Sequence, residues 1–138
     1  MIAKDVMTSD PITLTEQATI EEAADLMRER NIRHVPVVDQ GGALAGMVSD
    51  RDLGYLDLGR LIGDEGADGV RRHLATPVAS VMTPEVITVG PDDDLGDVVD
   101  LMLENRVGAV PVVQDVSGRL VGIVSYVDLL RAFRDHLE

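Results

Sequence analysis

Two segments of this chain place a hydroxyl three residues ahead of a carboxylate, where an apolar β-branched run gives way to a helical pattern: Ser49-x-x-Asp52 and Ser125-x-x-Asp128. Such a pair supports two chemistries. As a reciprocal cap, the serine oxygen accepts a helix N–H and the aspartate reaches back to the serine amide, worth ~1 kcal/mol of helix stability. As a binding site, the same junction presents unpaired N–H groups and the positive end of a helix to an anion. A carboxylate beside it can accept both hydroxyls of a ribose. The residues alone leave both open. Other chemistry has less support: His34, His73 and His136 show no metal-ligand spacing, there is no cysteine, and neither a G-x-x-x-x-G-K-[ST] loop nor a G-x-S-x-G turn occurs. Asp52 and Asp128 have no general-acid partner indicated, so catalysis is not expected. The Asp92-Asp93-Asp94 run reads as first-turn acid complementing a helix dipole, not as a metal site.

The two segments close two copies of one unit. Val6 to Leu53 aligns with Val81 to Leu129 through a single one-residue insertion, and about twenty of forty-eight positions are identical. Val6-Met7-Thr8 answers Val81-Met82-Thr83, Asp25-Leu26-Met27 answers Asp100-Leu101-Met102, and Val35-Pro36-Val37-Val38 answers Val110-Pro111-Val112-Val113. A repeat of about 75 residues is too long for a solenoid unit.

Within the first copy, Pro11 to Leu14 is expected to be extended. Thr19 is placed to cap a helix with Glu22 at the capping-box position, and Ile20, Ala23, Ala24 and Met27 recur at helical spacing to about Arg30. Val35 to Val38 and Leu44 to Val48 flank a Gly-containing turn and predict a hairpin, after which the pattern returns to helix from Ser49. The second copy predicts an extended Val86 to Val89, a helix opening at Pro91-Asp92-Asp93-Asp94 and running to about Arg106, a hairpin of Ala109 to Val113 with Leu120 to Val124, and a closing helix from Ser125. The expected fold is α/β (α+β): tandem β-α-β-β-α repeats over residues 1–58 and 78–138, packed with pseudo-twofold symmetry as one module. The connector, residues 59–77, is Gly- and acid-rich; it lacks the ligand alternation of an EF-hand loop and reads as mobile, with a short helix at each end.

Composition narrows the function classes. The net charge of −13 opposes binding of nucleic acid through a broad basic surface. No apolar run is long enough to span a membrane and no signal peptide is evident, so a soluble cytoplasmic protein is the expectation. With aromatics at 2%, the core must be built from Val, Leu, Ile, Ala and Met.

A tandem unit that opens with Val-Met-Thr, carries Val-Pro-Val-Val on its second strand and closes with Gly-h-Val-Ser-x-x-Asp-Leu resembles the cystathionine-β-synthase (CBS) domain pair. The resemblance covers both repeats, with the motifs in register twice. It implies that Asp52 and Asp128, with Ser49 and Ser125, bind ribose hydroxyls of an adenosine-type ligand in the cleft between the repeats. It implies that the base is framed by Ile12, Thr13, His34, Val35 and Pro36 in one copy and by Ile87, Thr88, Ala109, Val110 and Pro111 in the other; Thr13 and Thr88 read equally as ordinary strand residues.

In similar proteins basic residues just before the second strand reach phosphates. Here the first copy has Arg33-His34 where the second has Gly108-Ala109, and Arg51 where the second has Val127. Arginine suits bidentate phosphate contact; the alternative is that Arg33 and Arg51 are solvated surface charges. One favoured site, or two unequal ones, is therefore expected. The function so implied is a regulatory module sensing AMP, ADP, ATP or a related adenosyl compound. It would be no enzyme and hold no cofactor beyond that nucleotide, acting as a homodimer or through an unknown protein partner. The alternative is a ligand-free structural or interaction module whose Ser-x-x-Asp pairs serve as helix caps.

Overall fold

The computed structural model describes residues 1–54, 58–114 and 116–137, with the backbone alone for 58–65. The chain divides into two compact units, each drawing on both repeats. One comprises Met1–Pro11, Gly41–Leu44 and Val86–Glu138; the other comprises Ile12–Gln40 and Ala45–Glu85.

In the second of these, β2 (Leu14–Thr15), β3 (His34–Val38) and β4 (Leu44–Ser49) form a sheet in that order, with β2 parallel to β3. Helix α2 (Ile20–Arg30) covers it. Thr19 caps α2, its hydroxyl accepting from Glu22 N at 3.2 Å, and the chain leaves the helix through Asn31 in the left-handed region. The face spaced at Ile20, Ala23, Ala24 and Met27 is buried against Val35, Val37, Val48, Leu53 and Val78.

The other unit repeats the plan. Its sheet runs β1 (Thr8–Ser9), β6 (Arg119–Ser125), β5 (Ala109–Gln114), with β6 antiparallel to both neighbours. Helix α4 (Leu95–Asn105) is capped by Asp94, which accepts from Gly96 N at 3.0 Å, and buries Val98 and Met102 beside Val110, Val112 and Val124. The Asp run thus serves local structure: Asp93 accepts from Gly90 N at 2.8 Å and Asp92 pairs with Lys4 at the surface. Helices α1 (Ala3–Val6) and α5 (Tyr126–His136) complete the unit.

Each repeat's opening Val-Met-Thr lies on the sheet of the other repeat. Thr8 pairs with Ile123 and Ser9 with Gly122, while Thr83 and Met47 exchange backbone bonds of 2.9 and 3.0 Å. The close approach depends on glycine: a Cβ on Gly46 would stand 2.7 Å from Met82 Sδ and from the Thr83 carbonyl.

Three elements differ from expectation. The extended run at Pro11–Leu14 is reduced to Leu14–Thr15, because Asp10 turns at φ 47° and Pro11 has no N–H for a ladder. Of Val86–Val89 only Val89 pairs, bridging Val112 in parallel. After Ser49 the chain makes only a single 3₁₀ turn, Arg51–Leu53, which Gly54 ends at φ 78°. A Cβ on Gly54 would stand 2.9 Å from the His73 ring, whose Nε2 donates to the Leu53 carbonyl at 2.7 Å. The connector is helical as α3 (Leu58–Leu74), broken at Gly66 (φ 64°, ψ −149°), so a helical segment stands on either side.

Candidate functional site

Every residue expected at a ligand site falls, copy by copy, within one unit. Ile12, Thr13, Arg33, His34, Val35, Pro36, Ser49, Arg51 and Asp52 share one; Ile87, Thr88, Ala109, Val110, Pro111, Ser125 and Asp128 share the other.

In the first set, β4 ends at Ser49 and the next turn carries Arg51 and Asp52. Asp52 Oδ2 accepts from Ser49 N at 2.8 Å, and Ser49 Oγ accepts from Asp52 N at 3.4 Å, so the reciprocal cap is formed. The amide of Asp50 donates to the Arg33 carbonyl at 3.0 Å, which ties the residues entering β3 to this junction. His34 feels the result. Its pKa lies below the ordinary 6.5, chiefly because burial disfavours the imidazolium; Asp50 and then Asp52 pull it back up, while Arg33 and Arg51 push it further down. Four charged side chains therefore bear on His34 within a short stretch of the chain. Arg33 and Arg51 are exposed and make no ion pair among the described residues. Leu14 lies opposite Val37 in parallel register, so Ile12 and Thr13, just before it, approach the level of Val35 and Pro36. Val35 and Pro36 are fully buried, so at a ligand site they would back its wall and not form its surface.

The second set shares the backbone bond at its junction, although a full helix follows Ser125 where a single turn follows Ser49. Tyr126 N donates to the Gly108 carbonyl at 3.0 Å, Val89 N donates to the Pro111 carbonyl at 3.1 Å, and Val110 and Pro111 are buried. Thr88 precedes Val89 and is exposed. The cap is tighter. Asp128 Oδ2 accepts from Ser125 N at 2.9 Å and Ser125 Oγ at 3.0 Å, and the carboxylate is only 7% exposed. Two residues that sequence reasoning did not place here complete its surroundings: the Thr8 hydroxyl donates to Oδ1 at 3.2 Å, and Arg131 Nη1 stands 3.7 Å from it. Thr8 was visible as part of a repeated motif, but its partner 120 residues away was not. A cavity of about 280 Å³ opens beside Asp128, between α1 and α5, lined also by Asp5, Arg131, Asp135 and His136.

Among the described residues no cluster of His, Asp and Glu could hold a metal ion, and no helix is long and apolar enough to cross a membrane. No buried side-chain polar atom among them lacks a partner.

Comparison with known proteins gives the arrangement its context. The "CBS domain-containing protein YhcV" of Bacillus subtilis is 37% identical over 126 residues, spanning 91% of this chain and 81% of that protein. The chain spans only 23% of each of two longer relatives named as enzymes. Among solved structures, the CBS domain pair of protein MJ0100, in complex with 5′-methylthioadenosine and S-adenosyl-L-methionine, matches with a TM-score of 0.76 at 31% identity, covering 96% of this chain and 99% of that one. CBSX2 in complex with AMP matches with a TM-score of 0.80 at 27% identity, covering 99% and 98%. The family model for the CBS domain matches residues 3–54 and 78–135, and with both repeats so matched, this chain belongs to the CBS domain family.

Proposed function

We propose that this chain is a regulatory module that senses an adenosine-type nucleotide. The observation that carries the reading is the junction at Ser49–Asp52: a capped carboxylate with one oxygen unengaged among the described residues, beside Arg33, His34 and Arg51. The carboxylate suits ribose hydroxyls, and the two guanidinium groups suit phosphate. Structural relatives solved with AMP or with S-adenosylmethionine and methylthioadenosine support the adenosyl class. Ile12, Thr13, Val35 and Pro36 would frame the base at this half-site. Ile87, Thr88, Ala109, Val110, Pro111, Ser125 and Asp128 are the corresponding candidates in the other unit. Nothing in either set supplies a general acid beside a nucleophile, and the proposed role is to bind and not to turn over the nucleotide.

Binding would shift the chain between conformations by the ligand's differential affinity for them, and the output would pass to a second copy or another protein. Helix α5 supplies a candidate surface for a second copy. Tyr126, Val127, Leu130 and Phe133 are exposed along it, with Leu137 just beyond. Titration calorimetry with AMP, ADP, ATP, NAD and S-adenosylmethionine tests the sensor reading. Micromolar binding of at least one, weakened by Asp52→Ala, is expected; if none binds below millimolar, the reading fails. The second reading, a ligand-free module with Ser-x-x-Asp acting as caps, is favoured by the completeness of the Ser125–Asp128 box.

A further inference from the structure

A carboxylate offers about four acceptor positions, and the two motif aspartates differ in how many are taken. Asp128 receives the Ser125 amide and hydroxyl on Oδ2 and the Thr8 hydroxyl on Oδ1, with the Arg131 guanidinium 3.7 Å from Oδ1 as an ion pair. Asp52 receives the Ser49 amide on Oδ2, and among the described residues its Oδ1 receives nothing. The difference has an origin in the chain. Three residues beyond Asp128 stands Arg131; three beyond Asp52 stands Tyr55, which carries no charge and lies outside the described residues. Thr83 holds the place of Thr8 in the other repeat, yet it donates no hydroxyl bond to Asp52 among the described residues. The cations are distributed the other way: Arg33 and Arg51 flank Asp52, while Gly108 and Val127 occupy the matching positions near Asp128.

Resting on the nucleotide reading above, we infer that the chain takes one nucleotide, at the Asp52 half-site, and that Asp128 is a strut joining Thr8 to α5 in place of a second ribose acceptor. A ribose at Asp128 would have to displace Thr8 and push aside Arg131 at a buried carboxylate on which three of about four positions are already taken. At Asp52 it meets an oxygen with no partner among the described residues, near Arg33 and Arg51.

The test titrates AMP and ADP into the full chain and into Asp52→Asn and Asp128→Asn, with a thermal melt of each. Asparagine keeps a carbonyl oxygen for the serine amide, so the cap survives in both variants. The expected result is close to one equivalent per chain and at least a tenfold loss of affinity in Asp52→Asn, while Asp128→Asn registers chiefly as a lower melting temperature. Two equivalents per wild-type chain, or a loss from Asp128→Asn equal to that from Asp52→Asn, overturns the inference and leaves the nucleotide reading standing. Should Asp128→Asn fail to fold, the wild-type stoichiometry decides. No binding of any adenosine compound by the wild type overturns both.

Discussion

The amide of Asp50 donates to the carbonyl of Arg33 at 3.0 Å, and this bond holds the entry to β3 against the turn that carries Arg51 and Asp52. Tyr126 and Gly108 make the same bond at 3.0 Å in the other unit. The two junctions therefore share this bond and differ in their side chains and in the turn or helix that follows. Arg33→Ala and Arg51→Ala are expected to weaken ATP and ADP by about tenfold or more each, the order of a charged hydrogen bond of ~1.5–3 kcal/mol, with much less effect on adenosine. Calorimetry across the series adenosine, AMP, ADP and ATP checks this; equal losses for adenosine and ATP would show that the arginines do not meet phosphate.

Much of this arrangement was legible in the chain because it is local. Thr19 and Glu22 announced the start of α2, and the β-branched runs announced β3 and β4 to within a residue. What lay hidden was non-local. The pairing of Thr8 with Ile123, and so the approach of the Thr8 hydroxyl to Asp128, depends on contacts between the two ends of the chain that no periodicity encodes. The turn after Ser49 was misread for a related reason. Its residues suit a helix, but Gly54 takes a left-handed conformation and His73 closes over it from α3, a packing decision made twenty residues downstream.

Stability should depend on pH through His34. Burial holds its pKa below 6.5, with Asp50 and Asp52 opposing and Arg33 and Arg51 reinforcing the shift. A histidine harder to protonate in the native state leaves the unfolded chain holding more protons between the two pKa values. Stability is then full above the unfolded value and falls as pH drops through it toward the native value. His34→Gln is expected to flatten the fall as pH drops below the ordinary histidine value of 6.5, read by denaturant unfolding at each pH. A profile as steep as that of the wild type would assign the dependence elsewhere.

The seam between each opening Val-Met-Thr and its sheet should be intolerant of a methyl group. On Gly122 a Cβ would stand 3.0 Å from the Thr8 carbonyl, and on Gly46 it would stand 2.7 Å from the Thr83 carbonyl. A methionine tip can swing aside; a paired backbone carbonyl cannot. Gly46→Ala and Gly122→Ala are each expected to cost ~1–3 kcal/mol, the usual range for overpacking, seen as a drop of several degrees in the melting temperature. A change under one degree would show that the seam yields.

Helix α5 divides into two faces, and the outer one predicts self-association. Asp128 on its inner face is buried, whereas Leu130 is 61% and Phe133 62% exposed, and both follow Tyr126 at helical spacing. Phe133 is the single phenylalanine of the chain, and it lies where the core gains nothing from it. Arg131 and Asp135 lie on the inner side with Asp128, where they line the cavity, so they leave the stripe apolar. Two copies packed through this stripe would bury the apolar residues of both, the same patch meeting itself as a twofold interface requires. Sedimentation equilibrium is expected to show a dimer that Leu130→Glu with Phe133→Glu converts to a monomer, because each buried carboxylate would lack a partner. Thermal unfolding should depend on protein concentration for the wild type alone, since association stabilises the folded chain by mass action. A wild type that sediments as a monomer at every concentration would remove the second copy as the occupant of this face.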